Sequence, residues 1–356
     1  MSAVLEVSRL TQVFTSQKGP FGLFGRRELR AVDDVSFVVE RGRTFCLVGE
    51  SGCGKTTIGR LVVRLLKPTA GSVRVNGEDF ADLAGETLRR KRQQIQMVFQ
   101  DPFACLNSRM TAAEIVEEPL LNFSIGNAAS RQRKVLRLFD QVGLPQHFHS
   151  RLPHHLSGGQ RQRLGIARAL AAEPSLIVAD EAVAALDVSI RSQILNLLKE
   201  VQREIGISYL FISHDLSVVR YLADDVAVMY LGAIVEQAPA EAMFGAPAHP
   251  YTRALIDSVP VTHPRNRRRR SPLEGEIPSA AALPSGCRFR TRCPFATDIC
   301  AQQAPPMTEI APQPLRRLPS FAITAATERL ALQRGRRHRS RSKTVKREEY
   351  QNETAE

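Results

Sequence analysis

The chain of 356 residues predicts an α/β fold: a parallel-sheet core with an inserted helical subdomain, an N-terminal antiparallel β subdomain and a small C-terminal appendix. Three observations carry this. Short apolar runs at 44–48, 176–179 and 208–213 are followed by a glycine, a carboxylate pair and a histidine, the pattern of buried parallel strands whose C-terminal ends open on a site. From residue 159 onward helical and strand patterns alternate. Between about 101 and 170, helical periodicity prevails.

From the N-terminus, apolar patterning over 4–15 and 35–39 predicts two strands. Strand 44–48 leads into the glycine-rich run 49–57 and a helix over 58–66. A β-segment follows at 71–76 and a strand at 95–99. Helices are expected over 112–118, 130–142 and 160–172, the last with Ser157 as its N-cap. Strand 176–179, helix 190–205, strand 209–213, helix 216–222 and strand 226–230 complete the core. Prolines and arginines over 260–272 mark a boundary. The organisation is then a domain over 1–260, an appendix over 261–333 and a low-complexity basic tail over 334–356 that is expected to be disordered.

Residues 49–57 fit the pattern G-x-x-x-x-G-K-[ST], whose backbone N–H groups curl around phosphate oxygens. Gly49, Gly52 and Gly54 stand where side chains would obstruct that cradle, and Glu50, Ser51, Cys53 and Thr57 complete the loop. Lys55 places a positive charge on the β- and γ-phosphates, and the Thr56 hydroxyl is a ligand for Mg²⁺. The ligands predicted are therefore ATP and Mg²⁺. At the end of strand 176–179, Asp180 is a second Mg²⁺ ligand and Glu181 is placed to polarise the attacking water. Gln100 offers a neutral amide to Mg²⁺ or water, and His214 a contact to the γ-phosphate. Taken alone, paired acids can be merely solvated and a histidine merely structural; the loop at 49–57 favours the catalytic reading.

Leu156 and residues Ser157, Gly158, Gly159 and Gln160 form a capped helix start that could hold a second anion, one more than this chain needs. The four motifs in this order resemble the ABC-type ATPases. That resemblance implies a P-loop NTPase of ABC type, in which two domains sandwich two ATP molecules. Ser157 and Gly159 would then reach the γ-phosphate across the dimer, and Asp187 belongs to the loop that links the two sites.

Residues 98–102 with 106–109, then 185–190, 213–219, 228–232 and 249–252, further resemble the ATPase subunits of oligopeptide and dipeptide importers, closest to the second of their two ATPases. The resemblance spans about residues 5–306. It implies an ATP hydrolase that energises import of di- and oligopeptides from the cytoplasmic face of the membrane, as a peripheral subunit. Its partners would be a second ATPase (a copy or a paralogue), two transmembrane permease subunits and, through them, an extracytoplasmic solute-binding protein. Nickel and other solutes are the alternative cargo. Phe14 resembles the aromatic that stacks on adenine, with core packing as its alternative. Two departures stand beside Glu181: Ala182 where the family has Pro, and Ala184 where it has Ser.

Cys287, Cys293 and Cys300 suggest an iron–sulfur cluster of the kind relatives hold, but the fourth cysteine those relatives carry is absent, which leaves free thiols as the alternative. The net charge of +13 could point to nucleic acid or ribosomes. Five arginines within 265–270 and a net +4 over 334–356 concentrate that excess in a linker and a tail, and a single P-loop with no sustained heptad argues against a soluble ABC ATPase acting on nucleic acid or ribosomes. No apolar stretch approaches the eighteen residues of a spanning helix. The tail is either solvated or attracted to anionic lipid.

Overall fold

The computed structural model describes residues 2–17, 26–80, 82–259, 275–309 and 317–319. The arginines at 265–270, the proline-rich boundary and the basic tail lie outside them. The chain divides into two compact units, residues 1–245 with 277–283, and 246–276 with 284–356.

The first unit opens with β1 (Ala3–Gln17), β2 (Arg26–Glu40), β3 (Thr44–Val48), α1 (Lys55–Val62), β4 (Ala70–Val75) and β5 (Glu78–Asp79). Next come α2 (Gly85–Lys91), β6 (Ile95–Val98), α3 (Pro102–Cys105), α4 (Ala112–Asn122), α5 (Ala128–Gln141) and α6 (Gly158–Ala171). It closes with β7 (Leu176–Asp180), α7 (Val188–Ile205), β8 (Ser208–Ser213), α8 (Leu216–Leu222), β9 (Asp225–Tyr230), β10 (Ala233–Pro239) and α9 (Ala240–Gly245).

One sheet is antiparallel, in the order β2-β1-β4-β5. The other runs β10-β9-β3-β8-β7-β6, with β9 to β6 all parallel and β10 antiparallel on the β9 edge. Every residue of β3, β7 and β8 is buried, as parallel strands covered on both faces require. The apolar core runs from the antiparallel sheet through α1 into the parallel sheet. Phe37 of β2 stacks on Phe45 of β3 at 4.8 Å and 16°, joining the two sheets.

Several boundaries differ from the sequence reading: the strand expected over 35–39 is β2, which begins at Arg26, and two helices differ for identifiable reasons. The helix expected over 58–66 is α1, which begins at Lys55, directly on the glycine loop. It ends at Val62 because Arg64 turns to φ +58° and its guanidinium donates to the Phe80 and Leu83 carbonyls, at 2.7 and 3.0 Å. The helix expected over 112–118 continues to Asn122 with Pro119 inside it, anchored by a capping box between Thr111 and Glu114. The exposed α2, which buries no residue, gives no apolar stripe to read.

The second unit contains α10 (Pro250–Ser258), α11 (Ile299–Gln302), β11 (Met307–Glu309) and β12 (Arg317–Pro319). His249 caps α10 by accepting the Tyr251 N–H at Nδ1, 3.1 Å, and it packs with Tyr251 against the buried Phe289. Burial pushes the His249 imidazole down to about 3.

Two outcomes are expected. Phe45→Ala should cost about 3–5 kcal/mol in denaturant unfolding, because it opens a cavity where the two sheets meet. The unfolded chain takes up the His249 proton near pH 6.5 and the folded unit only near 3. Stability of the second unit should therefore fall by about 1.4 kcal/mol per pH unit as pH drops below 6.5, a slope that His249→Asn removes while keeping a cap. Urea titrations from pH 7 to 5 measure it.

Candidate nucleotide site

The register of the parallel sheet builds the site. Val48 lies opposite Ser213, Asp180 opposite Ile212, and Val98 opposite Ala179, so β3, β8, β7 and β6 end at one level. The loops leaving those ends carry residues 49–54, His214, Glu181 and Gln100.

Between β3 and α1 the chain passes through Gly54 at φ +107°. A Cβ there would meet the Ala31 carbonyl oxygen at 2.2 Å, so β2 forms a wall that only glycine can approach. Lys55 is buried, and its ammonium donates to the Gly49 and Glu50 carbonyls at 2.8 and 2.9 Å, with Cys53 Sγ at 3.7 Å. The cation is thus held inside the loop by backbone carbonyls. Burial pushes the Cys53 thiol up, against the pull of Lys55.

Thr56 donates its hydroxyl to Asp180 Oδ1 at 3.0 Å, across the gap between α1 and β7. Asp180 is only 4% exposed, and burial, reinforced by Glu181, pushes its carboxyl up against the Thr56 bond and the charges of Arg60 and Lys55. A buried carboxylate with one hydroxyl partner is an oxygen donor set that a hard divalent cation relieves, so the residues fit Mg²⁺.

Glu181 is engaged at both carboxylate oxygens: Gln100 Nε2 donates to Oε2 at 2.7 Å and His214 Nδ1 donates to Oε1 at 3.0 Å. Its backbone takes φ +47°, unusual for a non-glycine residue, in a turn closed by Glu181 N–H to Ile212 O and Ala184 N–H to Glu181 O, each 3.0 Å. Ala182 and Val183 in this turn are buried.

Lys55, Thr56, Asp180, Glu181, Gln100 and His214 are thus linked by hydrogen bonds or chain adjacency. Ser157 and Gln160 form a reciprocal capping box at the start of α6, with Ser157 N–H donating to Gln160 Oε1 at 2.9 Å. Their neighbours are the residues after Glu181 rather than the loop at 49–57. A Cβ on Gly158 would touch Leu186, and one on Gly159 would meet Ile190 Cγ2 at 2.5 Å. Asp187 caps α7 by accepting the Ile190 N–H at 2.9 Å. Phe14 is 38% exposed on β1, outside the buried apolar core.

Sequence reasoning missed Arg191, which donates to Asp215 at 2.7 Å and to the Leu186 carbonyl at 3.2 Å. An arginine in the first turn of a polar-faced helix carries no signal of its own. In the second unit Cys287, Cys293 and Cys300 are free thiols, and burial pushes Cys287 and Cys293 up. Among the described residues no group of three His, Cys, Asp or Glu is arranged to hold a metal ion. The iron–sulfur expectation thus draws no support from this geometry.

Residues 32–184 match the family profile described as ABC transporter, and residues 235–300 that of the oligopeptide/dipeptide transporter C-terminal region. The chain is 52% identical over 305 residues to the probable peptide ABC transporter ATP-binding protein y4tS of Sinorhizobium fredii, which spans 86% of each chain. The chain belongs to the ABC transporter family. This ABC ATPase is also 50% identical over 314 residues to the oligopeptide transport ATP-binding protein AppF of Bacillus subtilis, covering 87% of this chain and 94% of that one. It is 48% identical over 285 residues to the dipeptide transport ATP-binding protein DppF of Haemophilus influenzae, covering 80% and 87%. Among solved structures, the dimeric post-hydrolysis state of the ATP-binding cassette MJ0796 bound to ADP and Pi aligns with TM-score 0.59 at 29% identity, over 66% of this chain and 98% of that one. The cbiO1 cassette of Clostridium perfringens aligns with TM-score 0.60 at 27% identity, over 69% and 92%.

Gly54→Ala should abolish binding of a fluorescent ATP analogue and cost about 1–3 kcal/mol of stability, since it combines left-handed strain with a backbone collision. Equilibrium titration and a thermal melt read the two effects separately.

Proposed function

We propose that this ABC ATPase is the subunit that hydrolyses ATP to power import of di- and oligopeptides through separate membrane subunits. The observation that carries the hydrolytic part is the Gln100–Glu181–His214 network beside Thr56 and Asp180. The peptide cargo rests on the kinship with AppF, DppF and y4tS.

The loop 49–57 binds the triphosphate, with Lys55 leaving its carbonyl partners for the β- and γ-oxygens. Thr56, Asp180 and Gln100 would hold Mg²⁺, which neutralises developing charge on the transferred phosphoryl group. Glu181 orients the attacking water and takes its proton, once its Oε2 is released from Gln100. His214 keeps the other oxygen in place and lies next to the γ-phosphate position. Phe14, exposed on β1, stacks on the adenine. Ser157, Gly158, Gly159 and Gln160 complete the site of a second ATPase subunit, a copy or a paralogue, and Asp187 lies at that junction. The dimeric MJ0796 cassette supports this arrangement.

No described helix is long and apolar enough to cross a membrane, so passage of the cargo falls to other chains. A cavity of about 280 Å³ between the parallel core and the helical segment has a mixed lining, apolar at Met97, Phe99, Pro119 and Phe123 and polar at Arg92, Gln96, Glu118, Asn122 and Arg168. A segment of a permease subunit would dock in this cleft, with this chain peripheral at the cytoplasmic face of the membrane. A solute-binding protein would act through those permeases. In this reading the domain spans 1–260, with the appendix over 261–333 and the tail over 334–356. The cysteines of the appendix have no cofactor role; iron and sulfide analysis of anaerobically purified protein should find neither.

Uptake of labelled di- and tripeptides should be lost when this chain is deleted, and should stay lost on restoration with Glu181→Gln. Purified Glu181→Gln protein should retain ATP affinity while turnover drops by about 10²–10⁴-fold. Normal peptide uptake in the deletion strain would reject the cargo assignment, and unchanged turnover would reject Glu181 as base.

A further inference from the structure

Arg191 is a charged side chain beside the site to which none of the roles above gives a task. It sits in the first turn of α7, four residues after Asp187, and is half-buried, with its side chain 26% exposed. Nη1 donates to Asp215 Oδ2 at 2.7 Å, and Nη2 donates to the Leu186 carbonyl at 3.2 Å. Both partners adjoin residues that the proposed mechanism uses. Leu186 precedes Asp187, at the junction with the second subunit. Asp215 follows His214, the residue that holds Glu181.

Asp215 is itself pinned. Its Oδ1 accepts the Ser217 N–H at 2.9 Å, capping α8, so Arg191 grips a carboxylate that is already tied to a helix. Burial raises the Asp215 carboxyl, but the Ser217 bonds and Arg191 outweigh it and hold it below the usual carboxylate range. On the other side, the turn that Arg191 grips packs against the start of α6. Leu186 lies where a Cβ on Gly158 would touch it, and Ile190 fills the space that a Cβ on Gly159 would take. A planar guanidinium offers donors in two fixed directions, which a lysine ammonium does not reproduce. One side chain therefore closes a path from the Ser157–Gln160 helix start, through residues 186–191, to the segment that carries His214.

We propose that Arg191 is a positioning residue that locks the Asp187 loop to the His214 segment, so that docking of the second subunit sets the Glu181–His214 pair. The inference rests on the dimeric ATPase reading. It assigns Arg191 no contact with nucleotide. It specifies what removal should do: each site should still bind ATP, but closure of one face should no longer order the other.

The test uses the full-length chain with Arg191→Met, which keeps bulk without charge, and Arg191→Lys, which can reach Asp215 but not both partners. Thermal melts accompany each. Arg191→Met should lower kcat by about tenfold while KM for ATP moves by less than about threefold, and it should flatten any sigmoidal dependence on ATP. In a Glu181→Gln background with ATP and Mg²⁺, amide exchange should slow together at 184–190 and 214–218 when Arg191 is present. With Met at 191 the first segment should slow without the second. Arg191→Lys should recover the melting temperature and less than half of kcat. Coupled protection in Arg191→Met, or full kcat in either variant, overturns the proposal. A variant that melts early yet keeps coupled protection shows a purely structural ion pair and also overturns it. If the unsubstituted protein neither hydrolyses ATP nor dimerises, the ATPase reading fails first and takes this inference with it.

Discussion

Parallel pairing in register is the constraint on which the rest of this molecule depends. β3, β8, β7 and β6 are hydrogen-bonded side by side and run the same way, so their C-terminal ends must share one edge of the sheet. Four loops that are up to about 165 residues apart in sequence are thereby delivered to one place. A one-residue slip of β7 against β8 would turn Asp180 away from Thr56 and exchange the side chains packed on the two buried faces of the sheet. The uniformly buried strands resist that slip, so the chemistry is positioned by apolar packing beneath it.

The site itself is locally unfavourable. Asp180 is a buried carboxylate with a raised pKa, and Glu181 occupies a backbone region that costs about 1–3 kcal/mol for a non-glycine residue. Both persist because their surroundings over-determine them. Thr56 fixes Asp180, while the Ile212 carbonyl, the turn at Ala184, Gln100 and His214 fix Glu181. With Ala at 182 in place of the family's proline, that turn is held by hydrogen bonds and burial in place of a ring.

Around this centre, close packing of small residues joins helices whose partners are distant in sequence. Gly159 permits α6 to approach Ile190 of α7, and Arg191, the next residue, ties the same turn to Asp215. Glycine at 159 therefore has a physical reason within the chain itself, the close contact between α6 and α7. In the second unit His249 shows the same economy of position, as cap of α10 and as packing partner of Phe289.

The sequence by itself determined the elements whose signal is local. The runs 44–48, 176–179 and 208–213 emerged as strands, and Lys55, Thr56, Asp180, Glu181 and His214 were legible because each stands at a strand or loop end within a short pattern. Only the tertiary structure decided which groups meet. Helix α1 ends where it does because Arg64 finds carbonyls at 80 and 83, and Glu181 is shared between Gln100 and His214, residues 81 and 33 positions away. Arg191 was invisible for the same reason, since an arginine in the first turn of a helix is generic until Asp215 is brought to it from 24 residues on. Periodicity and backbone preference act over a few residues and are written in the chain directly. Side-chain partnership depends on register and packing across the whole sheet, which no local stretch contains.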